Sequence, residues 1–301
     1  MSAYYQPSHK MTAAGSLLLL AGGVAAAAVL APLYIYAVWY IPSVYLNLLV
    51  CGVFGLLLGG ALASLAKIGK LRSPWVVGQL ALVVGLVAVY LEWSVFLTLL
   101  YNSKTTGSES QADTSTSFSL PLFTQIVTSP VAMWQAMQRV NATGTWSLGS
   151  ASATNTAVSG VFLWLVWLGE AAIIMGVAYW LAHRQASEPF SETSDEWAAT
   201  EHLARPLNYV QDVPGIRAAL ESGHFEQLVP YDGQSATGSF ARLQLHHAPN
   251  ASDCHYLTLQ NVATKRDKKG KGTQQAKTVL KYLALSPTTY QQLRQRFGTA
   301  V

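Results

Sequence analysis

Four long apolar stretches, separated by polar connections, dominate the first 182 residues of the chain. They cover residues 13–36, 44–66, 76–100 and 158–182, and the only acidic or basic side chains inside them are Glu92 and Glu170. At about 1.5 Å of rise per residue, each stretch is long enough to cross a hydrocarbon layer of about 30 Å as a helix. The pattern predicts a four-helix transmembrane domain over residues 13–182. A polar leader of residues 1–12 precedes it, and the first apolar run is too long for a usual signal-peptide core.

A long loop, residues 101–157, separates the third and fourth predicted spans. Ser129 and Pro130 are typical of a helix start, and Met133, Trp134 and Val140 then recur on one helical face. The sequence therefore predicts a short surface helix over residues 130–140, lying on the membrane or dipping back between spans.

The remainder of the chain is polar, and parts of it alternate between polar and apolar residues with the two-residue period of strands. Residues 183–203 are charged and read as a linker, whereas residues 204–301 contain three stretches typical of strands, at 239–246, 255–262 and 278–285. Helix starts are indicated at Pro214 and Pro287. The fold class predicted is a membrane all-α domain of four transmembrane helices followed by a C-terminal soluble α+β domain.

Cations gather in the connections that should share one side of the membrane. Lys67, Lys70 and Arg72 lie between the second and third spans, Lys10 precedes the first, and Arg184 follows the fourth. By the positive-inside rule both termini are predicted to be inside, which places the C-terminal domain in the cytoplasm. The tail after residue 182 holds 13 Lys and Arg against 11 Asp and Glu, a net charge of about +2, so no nucleic-acid partner is predicted.

Glu92 and Glu170 are the candidate chemical groups within the membrane. A bare carboxylate is costly there, so each is expected to be protonated, hydrogen-bonded across helices or facing a wet cavity. Their depths along the spans bring them to a similar level, where Asn47, Gln79 and Tyr90 are the polar residues expected to share the site. One hypothesis is a proton or cation relay; the other is a protonated glutamic acid that joins helices.

Small side chains recur every four residues along the second span, at Cys51, Gly55, Gly59 and Ala63. Such a face lets another backbone approach closely. Two interpretations follow: packing against the first or third span within the chain, or a dimer interface. No disulfide is predicted between Cys51 and Cys254, because one lies in a span and the other in the soluble tail.

The soluble domain offers two further candidates. The first is a basic loop, predicted either to contact anionic lipid or an acidic partner or to be a solvated hairpin tip, with the residues Lys265, Arg266, Lys268, Lys269 and Lys271. The second is the group His246, His247, Cys254 and His255. Because neighbouring strand residues point to opposite faces and the spacing fits no zinc pattern, no metal site and no cofactor are predicted.

The front of the chain resembles a group of bacterial four-span membrane proteins that has no assigned function. The likeness covers about residues 5–197 and is carried by the following motifs: Tyr40-Ile41-Pro42, Arg72-Ser73-Pro74, Glu92-Trp93, Pro130, Gly144-Thr145-Trp146, and Trp164-Leu165-Val166-Trp167 before Glu170-Ala171. In that group the stretch after the last span reads Pro-Phe-Cys-Glu followed by a second Cys and a Trp. Here Ser191 and Ser194 stand in place of the two thiols, so a metal-knuckle role of this segment is not expected. The resemblance implies a topology and a bacterial inner membrane, and no activity.

Catalytic signatures are missing: the sequence contains no P-loop, GxSxG, HExxH, dinucleotide-binding or kinase motif. The function predicted is therefore a non-enzymatic membrane scaffold that displays a cytoplasmic interaction domain and assembles with itself or with other membrane subunits. A proton- or ion-translocating subunit that uses Glu92 and Glu170 is the second hypothesis, and a membrane-embedded enzyme is the third.

Overall fold

A computed structural model describes residues 3–41, 44–106, 113–144, 158–231, 239–249, 251, 253–266 and 272–298 of the chain. The chain divides into two units. One is residues His9–Ser187, and the other joins Met1–Ser8 to Glu188–Val301.

The first unit is helical. Its helices are α1 Ala13–Tyr40, α2 Val44–Ile68, α3 Pro74–Tyr101, α4 Leu120–Val127, α5 Pro130–Thr143 and α6 Gly160–Ala186. Four of them, α1, α2, α3 and α6, are long and apolar enough to cross a membrane. The prediction of four long apolar helices followed by a C-terminal α+β region is thus confirmed, with each helix a few residues longer than its apolar run.

Helices α1 and α6 each pack between α2 and α3 in the bundle. Gly55 and Gly59 on α2 lie against Ile174 and Ala178 on α6, so these two helices run parallel. Helices α1 and α2 are antiparallel, since Gly23 lies against Leu62 whereas Tyr34 stacks on Phe54 with ring centroids 5.0 Å apart.

The two ends of the bundle differ in chemistry. At the Lys67 end, α1 begins, the connection between α2 and α3 lies, and α6 ends. There the backbone N–H of Arg72 donates to the Lys10 carbonyl at 3.1 Å. The Tyr40 end is the opposite one, where Trp39 of α1 contacts Phe96 of α3 at 6.0 Å. These names are kept below.

The loop between α3 and α6 is built onto the Tyr40 end. It begins with an antiparallel pair, β1 Ser103–Thr106 and β2 Asp113–Thr116. Helices α4 and α5 then pack on α3 through one apolar group: Trp93, Leu97, Ile126, Met133, Ala136 and Val140. The predicted surface helix corresponds to α5. The sequence interpretation missed α4 because Pro121 looked like an interruption, yet proline fits the first turn of a helix.

The second unit is an α+β domain. Its elements are the two-stranded β3 Phe190–Ser191 and β4 Glu196–Trp197, the strands β5 Ala199–His202, β6 Phe240–His247, β7 His255–Arg266 and β8 Gly272–Ala284, and the helices α7 Val213–Glu221 and α8 Pro287–Phe297. Strands β5 to β8 form one antiparallel sheet in chain order. Leu220 of α7 and Leu293 and Phe297 of α8 are buried in the same core as Leu245 and Leu257 of the sheet.

The N-terminal segment belongs to this second unit. Tyr4 pairs with Leu283 of β8, the Tyr5 N–H donates to the Tyr282 carbonyl at 2.9 Å, and the Ala284 N–H donates to the Ala3 carbonyl at 2.8 Å. The sequence interpretation differs here, since it treated residues 1–12 as a leader. It also placed a linker at residues 183–203, where the structure continues α6 to Ala186 and forms β3, β4 and β5.

Candidate functional site: a polar cluster inside the helical bundle

Glu92 on α3 is buried in the bundle core. Its side chain is 6% exposed, and among the residues that the structure describes its Oε2 atom has no hydrogen-bond partner. The nearby hydroxyls donate to backbone carbonyls of their own helix: Ser94 Oγ to Tyr90 at 2.9 Å, and Thr98 Oγ1 to Ser94 at 2.7 Å. A buried acceptor with no partner is costly, so Glu92 is the most conspicuous polar group of the bundle.

Glu170 on α6 is the second acid of the site. It is half-buried and lies within electrostatic reach of Glu92. Its backbone carbonyl accepts a hydrogen bond from Cys51 Sγ at 3.5 Å, which ties α6 to α2 at this level. The two carboxyls that the sequence placed at a similar depth are therefore brought together.

Two further side chains complete the group. Tyr34 of α1 is 6% exposed and lies beside the Cys51 side chain of α2. Both of these side chains interact electrostatically with Glu92 and Glu170. Each of the four long helices thus contributes one polar residue to a polar cluster, defined here as Tyr34, Cys51, Glu92 and Glu170.

The polar cluster lies in the half of the bundle next to the Tyr40 end. Tyr34 comes six residues before the end of α1, and Glu170 comes ten residues after the start of α6. By the helical rise these positions are about 9 Å and about 15 Å from that end. A helix of 28 residues such as α3 is about 42 Å long, so the cluster is well away from the Lys67 end.

Aromatic side chains and the loop helices surround the cluster toward the Tyr40 end. Trp93, next to Glu92, contacts Trp167 of α6 with ring centroids 4.6 Å apart, and Trp167 contacts Trp164 at 5.0 Å. Trp164 also meets Trp134 of α5 at 5.1 Å. The Asn141 side chain of α5 donates to the Gly160 carbonyl at 2.9 Å and fixes α5 to the start of α6.

Toward the Lys67 end the bundle core is closed by apolar side chains. No buried polar side chain lies between Ser73 and Glu92 in the described part of the bundle. The core there is filled by Leu19, Ala27, Leu58, Leu62, Ala66, Val77, Ala81, Val84, Ala88, Ile174, Ala178 and Ala182. Among the described residues, no buried polar side chain is therefore available in this half of the core to carry a proton or cation.

The remaining residues expected in the site lie elsewhere. Gln79 is exposed on α3, 13 residues or about 20 Å before Glu92. The Tyr90 hydroxyl donates to the Val127 carbonyl of α4 at 2.8 Å and thereby anchors the loop helices. Asn47 is half-buried one turn before Cys51, and its Oδ1 atom has no partner among the described residues.

Sequence interpretation missed Tyr34 and Cys51 as members of the site. Tyr34 lies at the end of the first apolar stretch and was not singled out, and Cys51 was counted only as a small side chain. Depth along the helix was the available signal. Tyr34 and Cys51 each lie within about two turns of the helix end that meets the Tyr40 end, and the two acids lie in the same half of the bundle.

Another helix of the same chain, α6, packs against the small-residue face of α2. A Cβ atom added at Gly59 would lie 2.8 Å from Leu181 and 3.1 Å from the Ala178 Cα atom, and at Gly55 it would lie 3.3 Å from Val177. Ala63 is half-buried further along the same helix. The face therefore packs on α6, the fourth span, rather than on the first or third.

The candidate residues of the soluble domain do not form a second site. Lys268, Lys269 and Lys271 fall outside the described residues, and Lys265 and Arg266 pair with Thr273 and Gly272 at the end of the β7–β8 hairpin. No group of three or more His, Cys, Asp and Glu side chains in the described ranges is placed to hold a metal ion.

The histidines lie on different sides of the sheet. His246 is buried between Thr200 and Thr258, whose hydroxyls meet its ring nitrogens at 3.0 Å and 2.9 Å. Burial, with the nearby positive Lys281, lowers the pKa of His246 to about 4. His247 and His255 instead face each other across the strands and pack on the Tyr290 ring at 5.5 Å and 4.8 Å.

The turn between β3 and β4 is closed by a carboxylate. Asp253 accepts hydrogen bonds from Ser191 Oγ at 2.7 Å and Thr193 Oγ1 at 2.6 Å, while Ser191 Oγ accepts from the Ser194 N–H at 3.1 Å. Cys254 beside it is fully buried, and burial raises the pKa of its thiol to about 11. These two serines, which stand in place of thiols in the resembling group, thus take part in a hydrogen-bonded turn.

Comparison with protein-family models, with curated proteins and with solved structures finds no match to this chain. The resemblance to bacterial four-span proteins therefore stays a prediction.

Proposed function

We propose that this protein is a non-enzymatic membrane scaffold: a four-span anchor that holds an α+β interaction domain at the cytoplasmic surface of a bacterial inner membrane. The observation that carries the proposal is the pairing of the N-terminal segment with β8, because it joins both ends of the membrane domain to one soluble unit.

The connections between the spans and the soluble domain are short. Four residues, 9–12, separate Ser8 from α1, and Ser187 alone separates α6 from the second unit. A domain attached at two such points suits the presentation of a surface to partners at the membrane.

The sidedness follows from charge. The N-terminal segment and β8 share one domain, so the start of α1 and the finish of α6 belong on one side of the membrane. Lys67, Lys70 and Arg72 lie at the same end of the bundle, and such a gathering of cations is typical of cytoplasmic connections.

The interior of the bundle supports a scaffold more than a transporter. A conducting path needs polar groups or water from one end to the other, and the half of the core toward the Lys67 end is apolar. The face of small residues on α2 is used to hold α6, so self-assembly would use other surfaces, such as the outer side of α5 or the soluble domain.

Proton or ion translocation is the second candidate. The convergence of Glu92 and Glu170 within one polar cluster favours it, because paired acids in a membrane core are typical of ion and proton pathways. A closed apolar half would then have to open during a transport cycle.

Proton flux into liposomes separates the two candidates. The purified chain is reconstituted with an internal pH-sensitive dye and a potassium gradient clamped by valinomycin, and E92Q/E170Q serves as the matched variant. The scaffold predicts that both proteins leak protons no faster than empty liposomes. A wild-type flux that the double variant abolishes would overturn the scaffold in favour of translocation.

Partners are tested in the membrane. A photo-crosslinking residue is introduced at Glu196 or Thr273, both exposed in the soluble domain, and at Leu86, exposed on α3, as the control. The scaffold predicts one discrete protein adduct, with a second copy of this chain or with another subunit, from a soluble-domain position. Adducts with lipid alone from all three positions would contradict it.

A further inference from the structure

We propose that Glu92 and Glu170 form a proton-binding site that exchanges with the Tyr40 end of the bundle and not with the Lys67 end. The ligand is a proton bound by Glu92 in the neighbourhood of the second carboxyl group, that of Glu170. This inference does not depend on the scaffold function.

Glu92 supplies the first argument. Its side chain is 94% buried, and its Oε2 atom meets no donor among the described residues. An ionised carboxylate without a partner is costly in the middle of a membrane bundle. A bound proton removes the charge and turns the unpaired acceptor into a hydroxyl donor.

The titratable neighbours of Glu92 give the second argument. They are Tyr34 from α1, Cys51 from α2 and Glu170 from α6. Helix α4 carries no titratable side chain, and α5 carries only Arg139, which is exposed. None of the groups facing Glu92 is a cation, so nothing on these helices balances two negative charges, and two nearby carboxylates do not both ionise readily.

The donor geometry favours a proton over a metal ion. No three of the described His, Cys, Asp and Glu side chains converge at metal-binding distance, and this includes Cys51, Glu92 and Glu170. Cys51 instead donates its thiol hydrogen to the Glu170 carbonyl, which requires the neutral thiol. A proton needs only one carboxylate oxygen.

The direction of exchange follows from the surroundings. Glu170 is the less buried of the two carboxyls, and the proposal assigns to it the entry and exit of the proton. Both lie within about 15 Å of the Tyr40 end, while apolar side chains fill the core toward the other end. The site therefore responds to the proton concentration on the Tyr40 side.

Infrared difference spectroscopy tests the inference on the full chain in lipid nanodiscs. Spectra of E92Q, E170Q and the exposed control E196Q are each subtracted from wild type. We expect a protonated-carboxyl C=O band that disappears in E92Q and shifts in E170Q, because each variant removes one half of the pair. E196Q should remove carboxylate bands alone.

Ionised carboxylate bands alone in all three differences would overturn the proposal. A side-specific measurement completes it: in liposomes with known insertion direction, raising the pH on the Tyr40 side should diminish the C=O band, whereas raising it on the Lys67 side should leave the band unchanged. A band that follows the pH of the Lys67 side, or of both sides equally, contradicts one-sided exchange. Glutamine is nearly isosteric with glutamic acid and uncharged, so both variants are expected to fold.

Discussion

The backbone N–H of Tyr5 donates a hydrogen bond to the carbonyl of Tyr282, at 2.9 Å, across 277 residues of intervening chain. The Tyr5 ring also meets the rings of Tyr256 and Tyr282 edge-on, with centroids 5.2 Å and 6.3 Å apart. The first residues of the protein are thus part of the sheet formed by its last third, and the four spans lie between two strands of one domain.

Tyr5→Ala should loosen this edge of the sheet. Loss of the half-buried ring removes two aromatic contacts and part of the apolar burial, an expected cost of about 2 kcal/mol. Hydrogen exchange of the β8 amides near Ala284 should quicken accordingly, and Gln6→Ala, at an exposed position, should leave it unchanged. Equal exchange in wild type and Y5A would mean that the N-terminal pairing contributes nothing.

Gly59→Ala should weaken the association of α2 with α6. The new methyl group would lie 3.1 Å from both the Ala178 Cα atom and the Val177 carbonyl oxygen, which are backbone atoms and cannot simply rotate away. Overpacking of this kind costs about 1 to 3 kcal/mol. The neighbouring Gly60→Ala is the matched control, because nothing lies within 4 Å of its added Cβ. Thermal unfolding in detergent should show a lower midpoint for G59A alone.

His246 should make the soluble domain sensitive to mild acid. Its pKa is lowered to about 4 by burial, against about 6.5 in an unfolded chain, so the unfolded state binds the proton first. The stabilisation is complete above about pH 6.5 and is lost as the pH falls toward about 4, by up to about 3 kcal/mol.

His246→Gln tests that dependence, since an amide can still bond Thr200 and Thr258 but does not titrate. Unfolding followed by exchange of the β6 and β7 amides should become flat between about pH 6.5 and about pH 4 in H246Q. An unchanged acid response in this variant would assign the effect to another group.

Asp253 should make the stability of the soluble domain depend on pH in more acidic conditions. Burial alone would raise the pKa of this carboxyl, but the hydrogen bonds from Thr193 and Ser191 outweigh it and hold the pKa below its usual value. A lowered folded pKa stabilises above the unfolded value of about 3.9, and this contribution disappears as the pH falls through the folded pKa.

Asp253→Asn should therefore weaken the β3–β4 turn at neutral pH, by about 1 kcal/mol because the carboxylate is largely exposed. Protection of the Ser194 amide from exchange is the readout. Wild type should approach the variant as the pH falls through the lowered pKa of Asp253, and a constant difference at every pH would contradict the role given to the ionised carboxylate.

The spans were predictable because the bilayer imposes a single requirement, about 20 apolar residues, that the sequence meets four times. The pairing of Glu92 with Glu170 was predictable in the same way, from helical rise alone. Rotation about each helix axis was not: it turns Gln79 outward and Tyr34 inward, and it depends on side-chain packing between helices distant in sequence.

The soluble domain shows the same division between local and distant information. Alternation of polar and apolar residues indicated β6, β7 and β8, and proline positions indicated α7 and α8. The β-bridge formed by Tyr4 and the short strand β5 had no such pattern, because each is defined by its partner, Leu283 and residues of β6 respectively. Residues read as leader and linker were therefore part of the fold.

Sidedness is the most direct test of the central claim, that one cytoplasmic domain is attached to the membrane domain at both ends. Single cysteines are placed at the exposed positions Gln6, Glu196 and Ser117 in a chain whose own buried cysteines are replaced by alanine, and intact cells are treated with a membrane-impermeant maleimide. The account predicts labelling of Ser117→Cys in intact cells, and labelling of Gln6→Cys and Glu196→Cys only after the membrane is opened. Labelling of Gln6→Cys and Glu196→Cys from opposite sides of the membrane would contradict it.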